Sequence, residues 1–184
     1  MMLRWALKHC PKVTFLIKCD DDTFVNVENL INVMKSKRTD TIHGHLYAND
    51  PPHRDPSSKW YVSKEEYNGA EYPPFVAGTF YVLGGSILRR LYDASEQEPF
   101  FWLEDVFLTG FVAEKAGVNR THENLIADDQ FSSAGSVIYP VAVSSSLINP
   151  EAPSYVAVEG DLEAASPAEP VLVVFCLDFI FSYD

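Results

Sequence analysis

The chain of 184 residues is 47% apolar and 22% charged with a net charge of −12, which excludes a wholly disordered protein and fits one domain with a core. Up to Asn124 it carries 14 Lys/Arg against 17 Asp/Glu, whereas from Leu125 onward nine acidic residues stand without one basic residue. Neither part holds a basic patch, which argues against a nucleic-acid partner, and no apolar run is long enough for a helical membrane span.

In chain order, MMLRWALKHCP reads as an amphipathic helix over Met1–His9 stopped by Pro11, with no signal-peptide cleavage pattern. Val13–Cys19 is a short β-branched and aromatic run, the pattern of a buried strand. Val27–Lys37 puts Val27, Leu30, Ile31 and Met34 on one helical face, with Asn26 as the N-cap. Thr41–Tyr47 predicts a second strand, followed by a Pro-rich loop over Asn49–Ser58. Phe80–Leu83 predicts a third strand, and Ser86 a cap for a helix through Ala94. Glu104–Gly117 opens on acids and closes on glycine, as a helix does.

Strands alternating with helices imply an α/β layered domain. Past Ala127 the chain turns Ser/Ala/Pro-rich and loses periodicity until VLVVFCLDFIF. That run is too short for a membrane span and reads as a buried strand or an unstructured, aggregation-prone tail. The charge break thus divides the chain into a domain over residues 1–124 and an acidic tail over 125–184, expected to be poorly ordered. The three cysteines show no CxxC spacing, so a zinc site is not indicated. Asn119-Arg120-Thr121 is a glycan acceptor if the chain is luminal.

The stretch FLIKCDDDTFVN sets Asp20, Asp21 and Asp22 behind an apolar run. Adjacent like charges repel, so the cluster calls for a positive partner. Carboxylates at the end of a buried strand stand where open α/β sheets bind ligands, and hard oxygen donors suit Mg²⁺ or Mn²⁺. A solvated acidic turn is the alternative. The strand-DxDxT phosphatase pattern does not fit, because Phe24 stands where threonine is required. Glu104 and Asp105 read equally as charge stabilisation of a helix N-terminus. Trp60, Tyr61, Tyr72, Phe75 and Tyr81 are aromatic candidates for a sugar cleft or for the core, Trp60 being the foremost cleft candidate. His43, His45 and His122 are the histidines that a metal could recruit, with core or surface roles as the alternative.

Three ordered segments carry more: KCDDDTFVN, then SKWYVSKEEYNGAEYPPFVAGTFYVL, then LEDVFLTG. Together they resemble the β-1,3-galactosyltransferase and β-1,3-N-acetylglucosaminyltransferase group, glycosyltransferase family 31, over about Met1 to Asn119. The resemblance implies a partial GT-A fold, a mixed sheet flanked by helices that binds a nucleotide sugar. It matches Asp20 and Asp22 to the acids that hold Mn²⁺, with Asp21 beside them on the substrate. It matches Asp105 to the general base that takes the proton of the acceptor 3-hydroxyl, giving inversion at the anomeric carbon. Glu104, Trp60 and Gly78 fall at substrate-binding positions.

The implied donors are UDP-galactose or UDP-N-acetylglucosamine, and the acceptor is a glycan on a glycoprotein or glycolipid. The implied location is the luminal side of the Golgi membrane, in protein glycosylation. Relatives carry an anchor, a stem and uridine-cradling strands ahead of the position of Met1, and a final segment unlike residues 125–184. The chain is therefore expected to be a fragment. The second function class is a truncated, catalytically inactive glycan-binding or interaction protein.

Overall fold

The structure, a computed structural model, describes residues 2–20, 23–124, 138–140, 155–156 and 172–177. Helix α1 spans Met2–His9, strand β1 Phe15–Asp20, β2 Thr23–Val25, α2 Val27–Met34 and β3 Thr41–Tyr47. Strand β4, Phe75–Gly84, passes through a 3₁₀ turn at Gly85–Ile87 into α3, Leu88–Ser95. A π-helix over Val106–Val112 runs into α4, Ala113–Lys115, and β5 follows at Asn119–His122. Beyond residue 124, β6 (Ile138–Pro140), β7 (Tyr155–Val156) and β8 (Leu172–Leu177) are described. Six strands form one mixed sheet in the order β5-β3-β4-β1-β8-β7, and β2 pairs with β6 apart from it.

The sheet is covered on both sides. Leu16, Ile42, Val76, Tyr81 and Leu83 pack on one face with α1, α3 and the π-helix, through Leu3, Leu88, Leu91 and Val112. Phe15, Ile17, Cys19, Phe80 and Val82 face the other way onto Leu30 and Met34 of α2. This is a mixed α/β architecture with helices on the sheet, consistent with a GT-A-like domain. Asn26 caps α2 as the pattern predicts, its side chain accepting from Asn29 N at 3.0 Å.

Three elements differ from the sequence expectation. Strand β4 runs ten residues rather than four, because the small residues Ala77 and Gly78 hide its N-terminal half. Ser86 does not cap a helix: its hydroxyl donates to the Thr39 carbonyl across the sheet edge. The predicted helix over 104–117 is mostly π-helical. Its buried Thr109 donates its hydroxyl to the Asp105 carbonyl at 2.6 Å and accepts from Val76 N at 2.8 Å, while Arg120 takes the Thr109 carbonyl at 2.6 Å. Side chains thus satisfy carbonyls that an ordinary helical ladder engages, and such wide turns recur at functional sites. Gly117 closes the helix at φ 62°, the left-handed stop expected there.

Candidate functional site

Strand β1 ends at Asp20, level with Thr79 of β4, since Cys19 registers with Phe80 in the antiparallel pair. The acid pair of the π-helix arrives at the same place. Asp105 Oδ2 accepts from Gly78 N at 3.1 Å, and Oδ1 accepts from Val106 N at 2.8 Å. A methyl on Gly78 would meet Asp105 Oδ2 at 3.1 Å, a tight contact that the carboxylate would have to relieve by a few tenths of an ångström. Glu104 accepts a hydrogen bond from the buried Tyr81 hydroxyl, and its Oε2 is buried without a hydrogen-bond partner among the described residues.

Lys18 joins the two groups. It is fully buried in β1; its ammonium donates to Asp20 and to the Gly78 carbonyl, the latter at 2.5 Å. One peptide residue, Gly78, therefore carries both sides of the site: its carbonyl receives Lys18 and its N–H holds Asp105. The acidic cluster has a resident counter-charge two positions upstream, which the sequence reading overlooked. The available signal was a lysine inside an otherwise apolar buried strand, since an unpaired ammonium is rarely placed there.

Electrostatics follow from burial. Desolvation raises Asp105 above the ordinary carboxylate range, opposed by the Val106 N–H, the Lys18 charge and the Gly78 N–H. Glu104 is also raised, chiefly by burial, with Lys18 and the Tyr81 hydroxyl opposing. Tyr81 is pushed well above its usual value by burial and by Glu104, so it stays a neutral donor. A carboxylate held by two amides and lifted by desolvation is suited to accept a proton from a hydroxyl.

The remaining candidates fall elsewhere. Asp21 and Asp22 lie outside the described residues. Trp60 is 48% exposed on the long loop, with the Lys59 ammonium 4.3 Å from its ring centroid and the His53 ring 5.6 Å away. That loop is stapled by Arg54, which donates to the carbonyls of Val62, Ser63, Tyr67 and Gly69 at 2.7–3.1 Å. Tyr72 and Phe75 are buried in an aromatic nest with Phe101 and Val106, and Tyr81 is in the core. Asn119 is exposed on the outer strand β5.

The histidines are occupied in structural contacts. His43 is buried between Glu123 and the Arg38 carbonyl, at 2.8 Å from each. His122 accepts from Leu46 N at 3.2 Å, and its ring lies 5.1 Å from that of His45. Among the described residues no group of three or more His, Cys, Asp or Glu forms a metal cluster. For the implied Mn²⁺, the donor chemistry of Asp20 fits. It offers a hard carboxylate, its side chain 31% exposed, at the carboxyl end of a strand.

Fold and site together define a mixed α/β domain in which acids from a strand end and from a helix start converge on one glycine. The Galactosyltransferase family matches residues 1–124, and the chain belongs to that family. It is 40% identical over 120 residues to β-1,3-galactosyltransferase 5 of Pan troglodytes, covering 64% of this chain and 40% of that protein. It is 37% identical over 123 residues to the lactosylceramide 1,3-N-acetyl-β-D-glucosaminyltransferase of Homo sapiens, covering 64% and 32%. The N-acetyllactosaminide β-1,3-N-acetylglucosaminyltransferase 2 of Mus musculus is 35% identical over 122 residues, with 64% and 30% covered. The match thus spans about 40% or less of the length of these relatives.

Proposed function

We propose that residues 1–124 form the acid-bearing part of an inverting β-1,3-hexosyltransferase that moves galactose or N-acetylglucosamine from a UDP-sugar to the 3-hydroxyl of a glycan acceptor. The observation that carries this reading is Asp105, a desolvated carboxylate fixed by two amides and set across Gly78 from the Lys18–Asp20 pair. Family membership and the names of the relatives support the reaction class. The acceptor is a glycan of a glycoprotein or glycolipid, and the setting is the Golgi lumen. Among the described residues no helix is long and apolar enough to cross a membrane.

Asp20 and Asp22 would hold Mn²⁺, which, when bound, neutralises charge developing on the leaving diphosphate. Asp105 takes the proton from the acceptor 3-hydroxyl as its oxygen attacks the anomeric carbon on the face opposite UDP, so the bond to UDP breaks with inversion. The Gly78 and Val106 amides keep both oxygens of Asp105 in one orientation. Glu104 Oε2, without a hydrogen-bond partner among the described residues, is an acceptor for a sugar hydroxyl, and Tyr81 fixes its other oxygen. Trp60 offers an apolar face to a sugar ring at the edge of the Arg54-stapled loop.

The second reading is a glycan-binding protein without turnover, in which the exposed Trp60 ring contacts sugar and Asp105 only caps its helix. Both readings meet in one experiment. Sugar transfer from UDP-galactose and UDP-N-acetylglucosamine is measured with the chain as given and with it extended to the length of its relatives. UDP and acceptor binding are measured alongside. Transfer that depends on Asp105 supports the enzyme; acceptor binding without transfer in both proteins supports the second reading.

A further inference from the structure

The apolar run near the C-terminus takes no part in the chemistry above, yet it has a defined place in the sheet. Phe15, Leu16, Ile17, Lys18 and Cys19 of β1 are each at most 1% exposed, so β1 is an inner strand covered on both faces. One of its edges is taken by β4, from Phe15↔Gly84 to Cys19↔Phe80. The other edge is taken by β8 in parallel, through six register positions from Phe15↔Leu172 to Asp20↔Leu177. β8 lies outside the family match, which ends at residue 124.

The same segment returns on the far side of the acidic cluster. β2, just beyond Asp22, pairs antiparallel with β6, from Thr23↔Pro140 to Val25↔Ile138. Both strands that flank Asp20–Asp22 are therefore closed by backbone from residues 125–184. An inner strand cannot leave a row of N–H and C=O groups unpaired, and an open apolar edge pairs with other chains. LVVFCL, free of proline and charge and rich in β-branched residues, suits a strand buried in a parallel pair.

We propose that Leu172–Leu177 and Ile138–Pro140 are built-in donor strands, docked on the β1 edge and on β2 respectively, so that the chain closes its own sheet beside Asp20. The docking surface is the β1 edge, and its occupant is the chain's own tail. The inference is independent of any transfer activity.

The test is hydrogen exchange on the full chain, followed by mass spectrometry. Amides of 15–20 and 172–177 are expected to exchange about 100-fold or more slowly than unprotected amides, independently of protein concentration. Val174→Pro is expected to release both segments together while 41–47 and 75–84 stay protected, and to shift the chain toward larger species on gel filtration. Should Val174→Pro lose all protection, Val174→Gly, which keeps the amide donor, is expected to speed exchange in 15–20 and 172–177 by about fivefold, in line with a glycine penalty near 1 kcal/mol. Exchange of 172–177 at the unprotected rate in the wild type overturns the proposal, as does protection of 15–20 indifferent to both variants. Protection of 172–177 that vanishes on dilution assigns the strand to a second copy and overturns it too.

Discussion

Gly78 donates its N–H to Asp105 Oδ2 at 3.1 Å, while its carbonyl receives the buried Lys18 ammonium at 2.5 Å. A single residue without a side chain is therefore the joint between the Lys18–Asp20 pair and the acid that caps the π-helix. A Cβ at position 78 would stand 3.1 Å from Asp105 Oδ2 and 3.3 Å from Asp105 Cβ, so alanine moves the carboxylate by a few tenths of an ångström. Gly78→Ala is expected to lower kcat by about tenfold, since a full 1 Å misplacement costs about 10²-fold. UDP binding stays unchanged. Steady-state kinetics with calorimetry of UDP checks both.

Lys18 makes a second prediction, with a sign. Its positive charge favours ionised Asp105, and burial opposes it. Activity needs the ionised base, so the rate falls as pH drops through the raised value of Asp105. Removing the charge in Lys18→Met raises that value further, and the acid limb of the kcat/KM profile moves to higher pH. The variant is also expected to lose about 3–5 kcal/mol of stability, because Asp20 and the Gly78 carbonyl lose a buried partner. An acid limb that stays in place in the folded variant removes Lys18 from the control of the base.

The metal prediction rests on the donor set. Asp20 presents a partly exposed carboxylate at the strand end, and Asp22 is proposed as the second ligand. Asp22→Ala is expected to abolish most Mn²⁺ binding in the presence of UDP. Asp105→Asn leaves that binding intact. Equal Mn²⁺ affinity for wild type and Asp22→Ala contradicts the assignment.

Parts of this arrangement were legible in the amino acids. Helix α2 was readable because Asn26 is a cap and the apolar residues recur at helical spacing, both local signals. Asp105 and Glu104 were readable only through the ordered motifs, since alone they pass for helix-start charges. The N-terminal half of β4 was hidden by Pro73, Pro74, Ala77 and Gly78, residues that disfavour a strand, although Gly78 sits there in close contact with Asp105. Strand β5, NRTH, is polar because it is an outer strand, so no apolar alternation marks it. Lys18 was passed over because its meaning depends on Gly78, sixty residues away in sequence and adjacent only in the fold.

Asn119 offers a test of location. It is exposed on β5, and Thr121 of its sequon is exposed as well, its hydroxyl 3.1 Å from that of Thr41. Secretion-pathway expression is expected to attach one glycan, removed by peptide N-glycosidase and absent from Asn119→Gln. An unglycosylated luminal protein rules out Asn119 as the acceptor.

The last prediction separates chemistry from helix capping at Asp105. Asp105 accepts from two amides, one on each oxygen, which only a carboxylate can do. Asparagine has one acceptor oxygen, and its amide nitrogen would face an N–H, so one bond worth about 1 kcal/mol is lost. Against that loss, the substitution removes a buried charge. The folded value of Asp105 is raised above its unfolded value of 3.8, so the folded state binds the proton more readily. Wild-type stability therefore declines as pH rises from the unfolded value through the folded one, and Asp105→Asn lacks that decline. The two effects offset near neutral pH, where the stabilities are expected to agree within about 1 kcal/mol, and the wild type gains on the variant as the solution is acidified. Turnover is expected to fall by about 10²-fold or more at pH above the raised value of Asp105, where the wild-type base is ionised, the scale of a lost general base, with UDP binding unaltered. Denaturant melts across pH, run beside transfer assays, read the two roles separately. Turnover like the wild type's in Asp105→Asn refutes the base and leaves Asp105 a helix cap.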